Sequence, residues 1–136
     1  MTVSIPESHR HLLEEPVYAN LSTIMPDGRP QVHPVWCDFD GTYVRVNSAK
    51  GRQKDQNMRE RDYATILLLK PDDPYYWMEI RGHVAQMVEG DEADAHIDSL
   101  AKKYLGKERY PGHTPDETRV IYKIEPDRVL TVGNGE

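Results

Sequence analysis

The segment RVNSAKGRQKDQNMRER (45–61) carries six basic side chains, Arg45, Lys50, Arg52, Lys54, Arg59 and Arg61, against two acids, Asp55 and Glu60. That is a local charge of +4 in a chain whose net charge is −6. A charge run is ordinarily a solvated face, but the order of residues here points further. A strand pattern closes on Asn47-Ser48, a small-residue loop follows, and a polar helix begins near Gly51. Free N–H groups at a helix start favour an anion. Ser48 adds a hydroxyl, and Arg52 and Lys54 add charge-assisted donors. The chemistry indicated is the binding of an anionic ligand of modest size.

No other set of residues competes with it. The histidines (9, 11, 33, 83, 96 and 113) and the single Cys37 show no metal-ligand spacing. Cys37 reads as a buried structural thiol rather than a nucleophile. No serine sits in a nucleophile elbow, and no dinucleotide or Walker fingerprint is present. Trp36 and the run Tyr75-Tyr76-Trp77 offer faces for a planar ring, or else belong to the core or an interface. With no acid–base pair or nucleophile in place, any reaction is expected to be carried by a bound cofactor.

The elements that position these residues read as mainly β. Ser8 is expected to cap a short helix, SHRHLLEE. VYANLSTIM (17–25) alternates, with Val17, Ala19, Leu21 and Thr23 on one face. Met25-Pro26-Asp27-Gly28 is a turn, and 30–39 returns as a second strand, whose Pro30 and Pro34 place it at an edge or bulge. Asp40-Gly41 leads a hairpin into TYVRVN (42–47), with Val44 and Val46 inward. After a helix over 51–60, YATILLL (63–69) suits a strand buried on both faces. Tyr75–Val88 is a long strand that Gly82 interrupts. Residues 91–105 form the clearest helix, with Ala93, Ile97, Leu100, Ala101, Tyr104 and Leu105 on one stripe and Gly106 as its C-terminal cap. TRVIYKIE (118–125) is a last long strand, and 128–132 a short extra one. About six strands joined by short turns predict one small antiparallel β-barrel over residues 1–136.

Composition removes several classes. With 136 residues, 38% hydrophobic and 29% charged, the chain fits one domain with an adequate core. The acidic balance argues against nucleic acid as partner. No apolar run approaches the ~20 residues that span a bilayer, and the N-terminus lacks signal architecture. A soluble, cytoplasmic protein with no membrane association is expected.

Three stretches carry a resemblance: LSTIMPDGRPQVHPVW, VRVNSAKGRQKDQNMRERDYATILLL and PYYWMEIRGHVAQM. Together they closely resemble the pyridoxamine 5′-phosphate oxidase-like split β-barrel superfamily. Within it, the chain looks most like the flavin/deazaflavin oxidoreductases of group B, the coenzyme F420-dependent type. The resemblance spans nearly the whole chain and implies an FMN-binding-like split barrel that works as a homodimer, with cofactor grooves between protomers. It assigns Ser48, Lys50, Arg52, Lys54 and Asn57 to the cofactor's phosphate. Val32, His33, Pro34, Val35 and Trp36 would run along its tricyclic ring, and Trp77 and Arg81 would come from the partner chain. Gln53 and Asp55 depart from the usual pattern beside the basic pair. His33 stands where smaller residues are common, and so is a candidate proton donor.

The resemblance leaves the cofactor open between coenzyme F420 (8-hydroxy-5-deazaflavin) and FMN. The deazaflavin's acidic tail needs cations beyond the phosphate, which Lys50, Arg59 and Arg61 offer. Oxidases of the pyridoxamine phosphate type usually carry a basic C-terminal motif, which RVLTVGNGE lacks. The expectation is therefore hydride transfer between F420 and an electron-poor small molecule (an enone, a quinone or a tetrapyrrole-like compound). An FMN oxidase or reductase is the first alternative, and a non-catalytic flavin- or haem-binding protein the second.

Overall fold

A computed structural model describes residues 3–133. Along the chain come α1 (His11–Glu14), β1 (Ala19–Ile24), β2 (Pro30–Val35), β3 (Cys37–Phe39), β4 (Val44–Ala49) and α2 (Gln53–Glu60). β5 (Tyr63–Lys70), β6 (Asp73–Glu89), α3 (Asp91–Leu105) and β7 (Arg119–Val132) complete it. The seven strands form one curled antiparallel sheet in the order β2-β1-β5-β6-β7-β4-β3. β1 buries Ala19, Leu21 and Thr23 on one face, as its alternation requires. The Met25–Gly28 turn closes with a 2.9 Å bond from the Gly28 amide to the Met25 carbonyl. β2, with its two prolines, is an edge strand.

Several expected boundaries move. The single strand over 30–39 is broken at Trp36, because its halves serve opposite edges of the sheet. Val35 pairs with Ala19 of β1, whereas Cys37 pairs with Val46 of β4. Helix α3 clamps this corner. The Tyr104 hydroxyl donates to the Val17 carbonyl at 2.6 Å and accepts the Cys37 amide at 3.1 Å. Trp36 stacks on the same Tyr104 ring at 5.4 Å. Leu105, placed by periodicity on the buried stripe, is exposed, because the helix ends there on Gly106 in the left-handed region.

The short N-terminal helix covers only His11–Glu14 and has no side-chain cap. Ser8 instead bonds the ring of buried His9, which stacks on Tyr76 at 4.3 Å. Tyr76 is thus a core residue, while Tyr75 is exposed and Trp77 half-buried. Helix α2 starts at Gln53 rather than 51, since Gly51 takes a left-handed turn (φ 96°) first. β5 alternates between buried and half-buried residues, so only one of its faces meets the core. The last strand runs unbroken from 119 to 132 and absorbs the short extra one, while the split of 30–39 brings the count to seven strands rather than about six. Pro126 is tolerated inside it because it lies opposite Gly82 at a register shift of β6.

That bulge demands glycine. A Cβ on Gly82 would lie 2.4 Å from the Glu125 carbonyl oxygen and 2.9 Å from Ile124 Cγ2. The first of these is backbone and cannot swing aside. Gly82→Ala is expected to cost about 1–3 kcal/mol. It should appear as a lower urea midpoint with an unchanged slope. A midpoint equal to wild type would mean that the two strands can part there freely.

Candidate functional site

Two stretches distant in sequence, the loop leading into α2 and the head of β7, bring their cations to one cavity. β4 ends in Asn47-Ser48-Ala49, pairing antiparallel with the start of β7 so that Ala49 faces Arg119. The chain turns through Lys50-Gly51 and enters α2, which carries Lys54. Arg52, Lys54 and Arg119 line a cavity of about 270 Å³ together with Ser48. Its apolar wall is the β2–β3 corner, Pro34-Val35-Trp36, with Ile97 and Leu100 of α3; Tyr18, Asn47 and Tyr110 complete the lining. Tyr110 lies edge-on to Trp36 at 6.0 Å, and Arg119 stacks over its ring at 5.1 Å.

The electrostatics suit an anion. Among the described residues, Glu117 is the one carboxylate paired with these cations, bonded to Arg119 at 2.8 Å and to Arg52 at 3.3 Å. Three cations therefore face one acid. Lys54 has no acidic partner among the described residues; burial, then Arg52 and Arg119, lower its pKa below the usual lysine value. A group that is partly desolvated beside like charges binds an incoming anion with gain on every side. The buried Ser48 hydroxyl has no hydrogen-bond partner among the described residues. A buried polar group left unpaired costs about 1–3 kcal/mol, which an anion's oxygen would recover.

The supporting groups are also fixed. Asp55 is buried beneath the loop, where it accepts the Gly51 amide at 2.9 Å, the Tyr122 hydroxyl at 2.5 Å and Arg59 at 3.0 Å. The departure from the family pattern at this position is therefore an anchor and takes no charge from the cavity. Asn57, expected at the phosphate, is wholly buried: it donates to Thr23 Oγ1 at 3.0 Å and accepts from Gln53 at 2.9 Å, fastening α2 to β1.

Of the residues singled out from the sequence, the structure gathers Pro34, Val35, Trp36, Ser48, Arg52 and Lys54 around one cavity. Lys50 turns to Glu89 at 3.4 Å, and Arg59 to Asp55 and Glu89. Arg61 binds the Ile24 carbonyl and Glu60, and Arg45 pairs with Asp38. Much of the basic island is thus spent on ion pairs within the fold. Val32 and His33 are exposed on the edge strand, outside the cavity wall. Trp77 and Arg81 lie on β6, away from the cavity, with Arg81 paired to Glu79 at 2.8 Å. Cys37 is fully buried, and burial pushes its thiol up to about 11, so it is not a nucleophile at neutral pH.

Sequence reasoning missed Arg119, Tyr110 and Tyr18. Arg119 had one visible signal, a lone cation at the head of an apolar strand, but its place beside Ser48 depends on pairing across some seventy residues.

The profile of the pyridoxamine 5′-phosphate oxidase family matches residues 5–133. No curated protein matches the chain. Among solved structures, an F420 reductase is 32% identical over 93% of this chain and 98% of its own, with a TM-score of 0.81. A conserved hypothetical protein from Mycobacterium tuberculosis is 20% identical, covers 98% of this chain and 88% of its own, and has a TM-score of 0.76. The haem storage protein HutZ from Vibrio cholerae shares the fold at 13% identity, with 98% of each chain covered and a TM-score of 0.69. On a match covering nearly its whole length, the chain belongs to the pyridoxamine 5′-phosphate oxidase family of split barrels.

Proposed function

We propose that this protein is an F420-dependent oxidoreductase that transfers a hydride between the deazaflavin and an electron-poor small organic substrate. The observation that carries this reading is the cavity's two-ended chemistry. At one end stand Arg52, Lys54, Arg119 and the unpartnered Ser48 hydroxyl, and at the other the aromatic corner around Trp36. The F420 reductase at 32% identity supports it. Ser48, Lys54 and Arg119 would hold the phosphate, and Pro34-Val35-Trp36 would flank the ring. Bound in its reduced form, the deazaflavin supplies the hydride. The chain's own part is to orient the cofactor and substrate, which makes the encounter effectively unimolecular.

Titration with F420 and with FMN, followed by turnover of reduced F420 with an enone or quinone, tests the reading. Binding of F420 with turnover supports it. Tight FMN binding with none for F420 replaces it with the flavin enzyme. A haem-storage role finds little support, because no histidine lines the cavity among the described residues. His83 and His113 are engaged by Asp127 and Asp98.

Size favours a homodimer. At about 270 Å³ the cavity is smaller than the roughly 300–1,000 Å³ typical of ligand sites, so a tricycle with its tail must extend beyond it. Exposed Tyr18 and Val32, and the outer-face row Leu69, Trp77 and Val132, give a second copy apolar surface to cover. Trp77 and Arg81 would reach the partner's cofactor from there. Light scattering should give the mass of a dimer at micromolar concentration, and a monomer that binds F420 tightly would contradict the arrangement.

His33 is expected to be dispensable as a proton donor, since it lies outside the cavity wall. His33→Ala should keep the rate at saturating cofactor within about threefold of wild type, leaving water as donor. A positioned general acid contributes about 10²-fold or more, so a loss of that size would return the role to His33.

A further inference from the structure

We propose that His96 is a positioning residue for the anion site, aiming Arg119 through the side-chain amide of Asn47; the proposal rests on the cofactor reading above. His96 is on α3, and its side chain is 2% exposed. It does not line the cavity, and the chemistry proposed above makes no use of it.

The argument is one of hydrogen-bond direction. Arginine has only donors. Arg119 Nε lies 2.9 Å from the Asn47 side chain, which must therefore present its oxygen there. The amide nitrogen of Asn47 then points the other way, donating to the Ala93 carbonyl at 3.0 Å and meeting His96 Nδ1 at 3.1 Å. Both ends of the amide agree on this orientation, and neither contact survives a flip. Since the amide nitrogen carries only hydrogens, Nδ1 of His96 must accept. In the neutral ring the proton is then on Nε2, which donates to Asp38 Oδ2 at 3.2 Å. Asp38 is held from the far side by Arg45, with two bonds of 2.8 Å. The tautomer is thus assigned by the network itself.

The chain of donors runs one way, from Arg119 to Asn47 to His96 to Asp38, and joins β7, β4, α3 and β3. A cation stands at its cavity end and a carboxylate at the other. Hydrogen bonds aligned in series polarise and strengthen one another. Arg119 and Asn47 are diagonal neighbours on paired strands, since Asn47 faces Ile121 and Ala49 faces Arg119. Without His96 the amide of Asn47 keeps the Ala93 carbonyl but loses one of its two acceptors, and the oxygen it presents to Arg119 Nε is held less firmly. The cations on α2 and its loop are untouched.

The test uses the full chain and two ligand pairs: FMN against riboflavin, which differ in the phosphate alone, and F420 against the ribityl deazaflavin that lacks both phosphate and acidic tail. His96→Ala should weaken binding of the phosphate-bearing member about tenfold, while the other changes less than twofold. His96→Asn keeps an acceptor near the Nδ1 position and should restore most of the affinity. In an Arg119→Ala background, His96→Ala should cost nothing more. Equal losses for both members of a pair, or losses that add to those of Arg119→Ala, would reduce His96 to a structural residue and overturn the proposal. Should the wild-type chain bind none of these ligands, the cofactor reading fails by itself. The ¹⁵N resonances of the His96 ring then decide the inference: a proton on Nε2 and none on Nδ1 supports it, and the reverse overturns it.

Discussion

Replacing Lys54 and Arg119 together with alanine is expected to weaken binding of F420 or FMN by about 10²- to 10⁴-fold. Each cation lost removes a charge-assisted hydrogen bond to phosphate, worth roughly 1.5–3 kcal/mol, so the pair contributes about 3–6 kcal/mol to the binding free energy. These two are the effective members of the cluster. Arg119 is 4% exposed and held from behind by Asn47. Lys54 is half-buried, with like charges as neighbours. Arg52 is more exposed, so its own removal should cost less. Arg119→Lys is the control, because it keeps the charge but loses the Nε bond to Asn47; its effect should fall between wild type and alanine. Affinity within threefold of wild type in the folded double variant would remove the phosphate from this cavity.

The parts of this molecule that could be read from the sequence are those set by local pattern. The helix 91–105 was legible because its apolar stripe, acidic first turn and terminal glycine all agree. The loop from Ser48 into α2 was legible for a similar reason: small residues between a strand and a cationic helix have few other uses. Trp36 was legible as an aromatic of interest, but its role was not. It is a corner where the chain leaves one edge of the sheet for the other, and strand periodicity has no term for such a switch. The basic island misled in detail, because Lys50, Arg59 and Arg61 find partners on β6, on α2 itself and at the end of β1, and no spacing rule reveals them. Arg119 and Tyr110 reach the cavity only through the long-range β4–β7 pairing and the fold of the 106–118 loop. The site is half a local motif and half a consequence of topology.

Asp55→Ala is expected to be among the most destabilising single changes in the chain, at about 3–5 kcal/mol. Its carboxylate is 2% exposed and accepts from the Gly51 amide, the buried Tyr122 hydroxyl and Arg59. Alanine would strand the buried Tyr122 hydroxyl, release the Gly51 amide and leave a guanidinium without its main partner. Against a typical total of about 5–15 kcal/mol, that loss is large. It also frees the turn at Gly51, so cofactor binding should weaken even where the variant remains folded. Asp55→Asn separates charge from shape, since its amide oxygen can still accept one of the two donors. The acid limb of the stability curve gives the sharper test. Burial pushes the Asp55 carboxyl up, but the Gly51 amide, the Tyr122 hydroxyl and Arg59 together outweigh it and hold its pKa below the usual carboxylate value. A carboxyl lowered in the folded state adds stability that is complete above the unfolded pKa of ~3.9 and is lost as pH falls through the folded value. Urea midpoints for wild type should therefore drop from pH 5 towards pH 2. The Asp55→Asn curve should start lower and fall less steeply, with the remaining slope left to Asp27, Asp38 and Asp98, whose pKa values are also lowered. Parallel curves for the two proteins would show that the anchor beneath the phosphate loop works without its charge.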